Sequence, residues 1–408
     1  MGRQIDIKLE FDKLQNGSKM ESMNKLSRDI EQDLEEYLAG ESTKILFIWG
    51  PRRSGKTTLL KQLASKWGAR IFNFDLASDY KNFVPRREEL AALAADNPVI
   101  LIDEVQNYPE STVVLKILHD EYGVKIIATG SSELRQKTGR GFDSMAGRYR
   151  EIFCLPLTIS EILDHKNPKI SDRAGSISKI SREAQIWGTY PEVYTSKLKN
   201  QSERMEMLQQ IFDTYVLKDV VNIYELKNQK LAKDILTKIA LQIGSEVSVR
   251  EIADSLGTTH TTVANYIEIF VKNYILISLP SFKTNARRAV SENRKLYFMD
   301  LGIRNVLVQD FRDLELRPDK GGVFENFMIS EIEKMRRVKK TWVNLYFYRE
   351  YGGKEIDLIV EDYKKNYVSV EIKVSGGKMQ KIFPIPSKQV VINSENYMEM
   401  IPKILGEK

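Results

Sequence analysis

Residues 45–61 read ILFIWGPRRSGKTTLLK: an apolar run, a loop bounded by Gly50 and Gly55, then Lys56-Thr57 opening a helical pattern. No other stretch constrains the fold as tightly. A G-x-x-x-x-G-K-T loop curls its main chain around an anion, and it does so where a strand delivers the loop and a helix N-terminus receives it. A strand and helix so joined bury their apolar faces only within a larger α/β layer. Further apolar runs alternate with helical patterns: RIFNFDL, PVILIDE, VKIIATG and REIFCLPL. The prediction is an α/β fold, with an open and mainly parallel sheet reaching to about residue 157.

The chemistry follows from residue type. Gly50, Pro51, Arg52, Arg53, Ser54, Gly55, Lys56, Thr57 and Thr58 form the expected phosphate-binding set. Lys56 reaches the β- and γ-phosphates, and the Thr57 hydroxyl ligates Mg²⁺. PVILIDEVQ supplies the second half: a buried strand carries Asp103 to the Mg²⁺ shell, and Glu104 stands next as general base for the attacking water. VKIIATGSS ends in Thr129, Ser131 and Ser132, of which Ser131 is expected to sense the γ-phosphate. Arg140 and Arg148 follow a glycine-rich stretch, and Arg148 is the expected arginine finger, acting in its own chain or on a neighbour in a homo-oligomer. The expected ligands are ATP and Mg²⁺.

Length and composition narrow the remainder. At 408 residues, 42% hydrophobic and 29% charged, the chain is expected to form several globular domains. Cys154 is the single cysteine and there are three histidines, which excludes an intrachain disulfide and a His-rich metal cluster. The opening MGRQIDIKLE lacks a signal peptide's apolar stretch, and Asp6 stands where a myristoylation motif wants Ser or Thr. No apolar run approaches the ~20 residues that span a bilayer. A cytoplasmic location without a membrane partner is expected. The formal charge of +6 is spread along the chain, and Arg287, Arg288, Arg294, Lys295 and Arg336, Arg337, Lys339, Lys340 read as solvated surface or a polyanion contact.

GPRRSGKTTLL, ILIDEVQNYP, IIATGSS, SMAGRY, LPLTISE and WGTYPEV, followed by YVLKDV, KLYFMDLGIRN, GGVFENFMISE, YFYREYGGKEIDLIV and VEIKVS, occur in one ordered series. From about residue 44 to 377 this series resembles a prokaryotic AAA+-type P-loop ATPase family with a C-terminal domain of unknown function. The resemblance implies an ATPase core, a helical lid, a winged helix and a restriction-endonuclease-like end domain. Trp187-Gly188 departs from it, because the family tends to show a glycine pair there. The expected divisions are an N-terminal helical segment at 1–44, the ATPase core at 45–157, the lid at 158–229, the winged helix at 230–283 and the nuclease-like domain at 284–408.

SVREIADSLGTTHTTVANYIEIF has helix-turn-helix spacing, with Ala253 at the crossing, Gly257 in the turn, and Val263 and Ile267 facing the core. Thr259, His260, Thr261 and Asn265 face outward, but no Arg or Lys lies between Thr258 and Val271 to read bases. Arg287 and Arg288, after the wing candidate YILISLPSF, could touch phosphates.

The C-terminal hairpin carries a second chemistry. GKEIDLIV and VSVEIKV set Asp357 on one strand and Glu371-x-Lys373 on the next, the pattern of PD-(D/E)xK nucleases. Asp357 and Glu371, with Glu325 from an upstream helix, would offer oxygen ligands to Mg²⁺ or Mn²⁺, and Lys373 would activate water or steady the phosphate. A surface ion pair on an inert scaffold fits the same residues. The expected function is an ATPase that couples nucleotide state to a DNA-directed module with metal-dependent nuclease chemistry. The alternatives are a switch ATPase acting on protein partners and a DNA-binding regulator without cleavage.

Overall fold

The computed structural model describes residues 26–130, 145–196, 198, 200–219, 228–283, 294–350, 353–377 and 379–406. Ser131, Arg140, Arg287 and Arg288, and residues 1–25 of the N-terminal segment, lie outside them.

Five strands form the first sheet: β1 (Ile45–Trp49), β2 (Arg70–Asn73), β3 (Val99–Asp103), β4 (Lys125–Gly130) and β5 (Tyr149–Phe153). Their order is β2-β3-β4-β1-β5 and every pairing is parallel. β1 is buried at all five positions, because helices cover both faces of a parallel sheet. Its alternate side chains divide between two cores. Ile45, Phe47 and Trp49 join Ile100, Ile102, Ile126 and Ala128 on one side. Leu46 and Ile48 meet Leu34, Tyr37 and Leu38 of α1 (Glu31–Ala39) and Leu59, Leu60 and Leu63 of α2 (Lys56–Trp67) on the other. This is the mixed α/β architecture with a parallel sheet that the strand series predicts.

Helices follow: α3 (Ile159–Lys166), α4 (Arg173–Trp187) and α5 (Gln201–Ile211). Then come α6 (Gln229–Leu241), β6 (Glu246–Val247), α7 (Val249–Leu256), α8 (His260–Lys272), β7 (Leu276–Pro280) and β8 (Arg294–Phe298). The last three strands form a sheet in the order β6-β8-β7, antiparallel throughout. The boundary expected between 283 and 284 therefore falls inside the β7–β8 hairpin. Leu296 and Phe298 of β8 bury their side chains with Leu276 and Val247, an apolar face with no other place to go.

The chain continues through α9 (Leu301–Val308) and the long α10 (Lys320–Val338) into β9 (Val343–Arg349), β10 (Glu355–Asp362), β11 (Tyr367–Ile372), β12 (Lys388–Ile392) and α11 (Tyr397–Ile404). This third sheet runs β12-β11-β10-β9, with β11 and β12 parallel and the rest antiparallel. α10 packs its Phe327, Met328, Ile329 and Ile332 into a core shared with both this sheet and the first one. Among the described residues no helix is long and apolar enough to cross a membrane.

A candidate nucleotide site and an acidic cluster

The loop leaves β1 tightly packed: a Cβ on Gly50 would lie 1.9 Å from the Cys154 carbonyl oxygen. Gly55 takes φ +99°, in the left-handed region that favours glycine, and hands the chain to α2. Lys56 is buried, and its Nζ donates to the carbonyls of Gly50 and Pro51, each at 2.8 Å. Burial holds its ammonium pKa below the usual lysine range. The Ser54 hydroxyl donates to the Pro51 carbonyl at 2.8 Å and stiffens the loop.

The acid pair stands where the strand spacing predicts. Thr57 Oγ1 donates to Asp103 Oδ2 at 2.8 Å, and the Thr129 hydroxyl donates to Asp103 Oδ1. Two hard oxygens, from Thr57 and Asp103, are thus held side by side, a donor set that fits Mg²⁺. Glu104 follows at φ 54°, and its carboxylate accepts from the Gln106 amide. A cavity of about 490 Å³ opens over these groups. Arg52, Arg53, Gly55, Lys56, Thr57, Thr58 and Glu104 line one side, and Pro191, Glu192, Thr195 and Tyr215 close the other. Arg53 bridges the two walls through Glu192 at 2.9 Å. The WGTYPEV segment is thereby a wall of the nucleotide cavity, which its Gly/Pro break alone did not reveal.

Arg148 is not at this site in its own chain. It precedes β5, where its carbonyl pairs with Ile45 at the start of β1, while the phosphate loop leaves the far end of that strand. Five strand residues, roughly 16 Å, lie between. Its guanidinium instead meets Asp120 at 2.8 Å and pulls that carboxyl down to about 2.

Sequence reasoning also missed Arg28, which is buried against the loop. It is one arginine in SRDIEQ and carries no periodic signal. The lone Cys154 is buried beside it, its Sγ 3.3 Å from Arg28 Nη1.

The C-terminal hairpin forms as predicted. The register sets Leu358 opposite Val370, which places Asp357 opposite Glu371 on the other face. A register irregularity in the pairing with β9 falls between Ile356 and Ile359, the interval that holds Asp357. Asp357 Oδ2 accepts from the Ile372 N–H at 2.7 Å, and Lys373 pairs with Glu371 at 2.8 Å. Glu371 is buried rather than solvated, and its Oε2 has no hydrogen-bond partner. Burial, then repulsion from Glu325 and Glu371, push the Asp357 carboxyl up to about 7. Hydrogen bonding to Glu371 raises the Lys373 pKa.

Lys295 and Tyr297 of β8 complete the cluster. Tyr297 Oη donates to Glu325 Oε1 at 2.5 Å; Lys295 Nζ meets the same oxygen at 3.0 Å and also pairs with Glu355. Lys295, expected on a solvated surface, is 1% exposed. Burial alone would lower its pKa, but the carboxylates of Glu325 and Glu355 outweigh it and raise it. Arg336 and Arg337, from the other basic cluster, are held by Glu333. Among the described residues no three His, Cys, Asp or Glu side chains gather as a metal site. Glu325 Oε1 is engaged by Lys295 and Tyr297. Two carboxylates remain, Asp357 and Glu371, the number with which Mg²⁺ is commonly held beside substrate phosphates.

Residues 42–163 match a family described as AAA domain. Strand, phosphate loop, acid pair and this match together define an AAA-type P-loop ATPase domain. Residues 178–315 and 320–384 match two domains of unknown function, DUF8612 and DUF4143. Among curated proteins, uncharacterized protein MJ1544 of Methanocaldococcus jannaschii is 27% identical over 384 residues, covering 90% of this chain and 82% of its own. An uncharacterized protein of Haemophilus influenzae is 23% identical over 301 residues, with coverage of 69% and 74%. The Thermotoga maritima RuvB Holliday junction branch migration motor overlaps 63% of this chain and 93% of its own at 17% identity, with a TM-score of 0.30. Similarity that low leaves the architecture to be read from the chain itself.

Proposed function

We propose that this AAA-type ATPase couples its nucleotide state to a DNA-directed module whose C-terminal hairpin carries metal-assisted phosphodiester chemistry. One observation carries the second half: Asp357, Glu371 and Lys373, far apart from any nucleotide motif, meet in one cluster where Asp357 is repelled by its neighbours and a Glu371 oxygen lacks a partner. A divalent cation there relieves both conditions, and it would supply Lewis-acid polarisation of a phosphate. Asp357 and Glu371 are its proposed ligands, and Lys373 its proposed partner for water or phosphate.

At the nucleotide site, Lys56 holds the β- and γ-phosphates, Thr57 and Asp103 hold Mg²⁺, and Glu104 takes the proton of the attacking water. Mg²⁺ neutralises developing phosphate charge when bound. Arg148, remote from its own loop, would serve only a neighbouring copy. The order α6, β6, α7, α8, β7, β8 supports a winged helix, with Thr259, His260, Thr261 and Asn265 toward the outer side of α8.

The test is nicking of supercoiled DNA with Mg²⁺ or Mn²⁺. Cleavage that survives Lys56→Met and disappears in Glu371→Ala supports this function; no cleavage of any DNA form removes it. A switch acting on protein partners is favoured by a different fact, that Lys295 and Tyr297 already occupy Glu325. In that case the hairpin is a docking scaffold and Glu371→Ala changes no activity on DNA.

A further inference from the structure

The N-terminal segment reaches the phosphate loop through one buried side chain. Arg28 Nη1 donates to the Ser54 carbonyl at 2.6 Å and to Cys154 Sγ at 3.3 Å. Its Nη2 donates to the Leu155 carbonyl at 2.6 Å, and its Nε to Glu161 Oε1 at 2.8 Å. The guanidinium is thus forked across the loop, the exit of β5 and the first turn of α3. Glu161 is fixed in turn by a capping box with Thr158, and it accepts from the Asp29 N–H at 2.8 Å. Neither Arg28 nor Glu161 reaches the cavity wall, so neither touches nucleotide directly.

The consequence comes from peptide geometry. In a trans peptide the C=O and the following N–H point in opposite directions. Arg28, which does not line the cavity, holds the Ser54 oxygen, and the Gly55 N–H is therefore directed to the opposite side of the peptide from Arg28, at a residue that does line it. That N–H belongs to the set that receives phosphate at a helix N-terminus. Nη1 would stand 3.4 Å from a Cβ at Gly55, in ordinary contact, so the guanidinium lies directly against that residue. We infer that Arg28 is a positioning residue of the nucleotide site: it sets the Ser54–Gly55 peptide for triphosphate binding and ties it to α3 through Glu161.

The inference rests on residues 50–57 gripping a triphosphate, and the experiment separates the two. ATP turnover and binding of Mg·ATP are measured for the full chain, Lys56→Met, Arg28→Lys and Arg28→Ala, with melting temperature recorded beside them. Losing a charge-assisted bond at the loop predicts KM for ATP raised about ten- to hundredfold in Arg28→Ala, with kcat at saturation within about threefold. Millimolar guanidinium ion, far below denaturing concentrations, should restore much of the KM. Arg28→Lys, which can reach one acceptor but not the fork, should lie between. If Arg28→Ala does not fold, the lysine variant alone decides, and an unchanged KM there overturns the inference. A merely structural role would lower melting temperature without moving KM, or would resist guanidinium rescue, and either result overturns it. If Lys56→Met binds Mg·ATP normally, the site assignment itself fails, whatever Arg28 does.

Discussion

Lys56 shows how much a single side chain can decide. Its ammonium lies against two loop carbonyls in a buried setting that lowers its pKa, so it is held at the point where phosphate charge would arrive under the proposed function. Lys56→Met should weaken Mg·ATP binding by about a hundredfold, the worth of two charge-assisted bonds, as read by calorimetric titration. Unchanged hydrolysis in this variant would refute the site. Asp29 makes the opposite demonstration. Burial, with Glu161 beside it, raises its carboxyl to about 6 although Thr158 donates to it. A raised carboxyl means that the folded chain binds the proton more tightly, so its contribution is present below about pH 4 and is lost as pH climbs through 6. Asp29→Asn should therefore stabilise the protein at pH 8 by on the order of 2 kcal/mol and leave it unchanged near pH 4, measured by urea unfolding. Equal effects at both pH values would show that the carboxyl is not displaced.

Period and spacing made the first sheet legible, because each strand of a buried parallel sheet is a short apolar run that sequence displays directly. The hairpin of β10 and β11 was legible for a related reason: its register follows from two alternating strands and one turn. β8 was not, since KLYFM matches a strand of either neighbouring domain, and only its pairing with β6 and β7 settles where it belongs. Contacts made across the chain, such as Arg28 to Ser54 or Lys295 to Glu325, leave no local trace at all. The Trp187-Gly188 departure now has a physical reason. Trp187 ends α4 and stacks on Phe311 at 5.0 Å, a place open to a large residue. Gly188, at φ +72°, would place a Cβ 2.1 Å from Asp300 Oδ1, where only glycine fits. Asp300 accepts from the Thr189 N–H there, which anchors the start of the cavity wall. Gly188→Ala should cost about 3 kcal/mol or more by combining strain with a displaced buried carboxylate, seen as a lowered urea midpoint at unchanged slope. A midpoint within error of wild type would mean the segment repacks freely.

Among the described residues the longest helix, α10, runs between the acidic cluster and the nucleotide cavity. Glu325 of α10 belongs to the acidic cluster, and nine residues on, roughly 14 Å along the axis, Lys334 is buried against the ATPase domain. Lys334 Nζ donates to the Leu157 carbonyl, to Thr189 Oγ1 and to Glu331, while Glu331 accepts from the Ile159 N–H. Thr189 begins the segment whose Pro191 and Glu192 wall the nucleotide cavity. Any movement of that wall would therefore reach the same helix that presents Glu325. Under the proposed function, ATP and DNA should then bind with a coupling of about 1–2 kcal/mol, and linkage requires each ligand to change the other's affinity by the same factor. Glu104→Gln, which would bind without turning over, allows both affinities to be measured by titration. Adding Glu331→Gln and Lys334→Met removes both buried charges together, which avoids leaving one unpaired, and the amide oxygen introduced by Glu331→Gln can still accept from the Ile159 N–H. In that background each ligand should bind nearly as before, while the mutual factor falls toward one. A factor that survives the double change places the coupling elsewhere in the molecule.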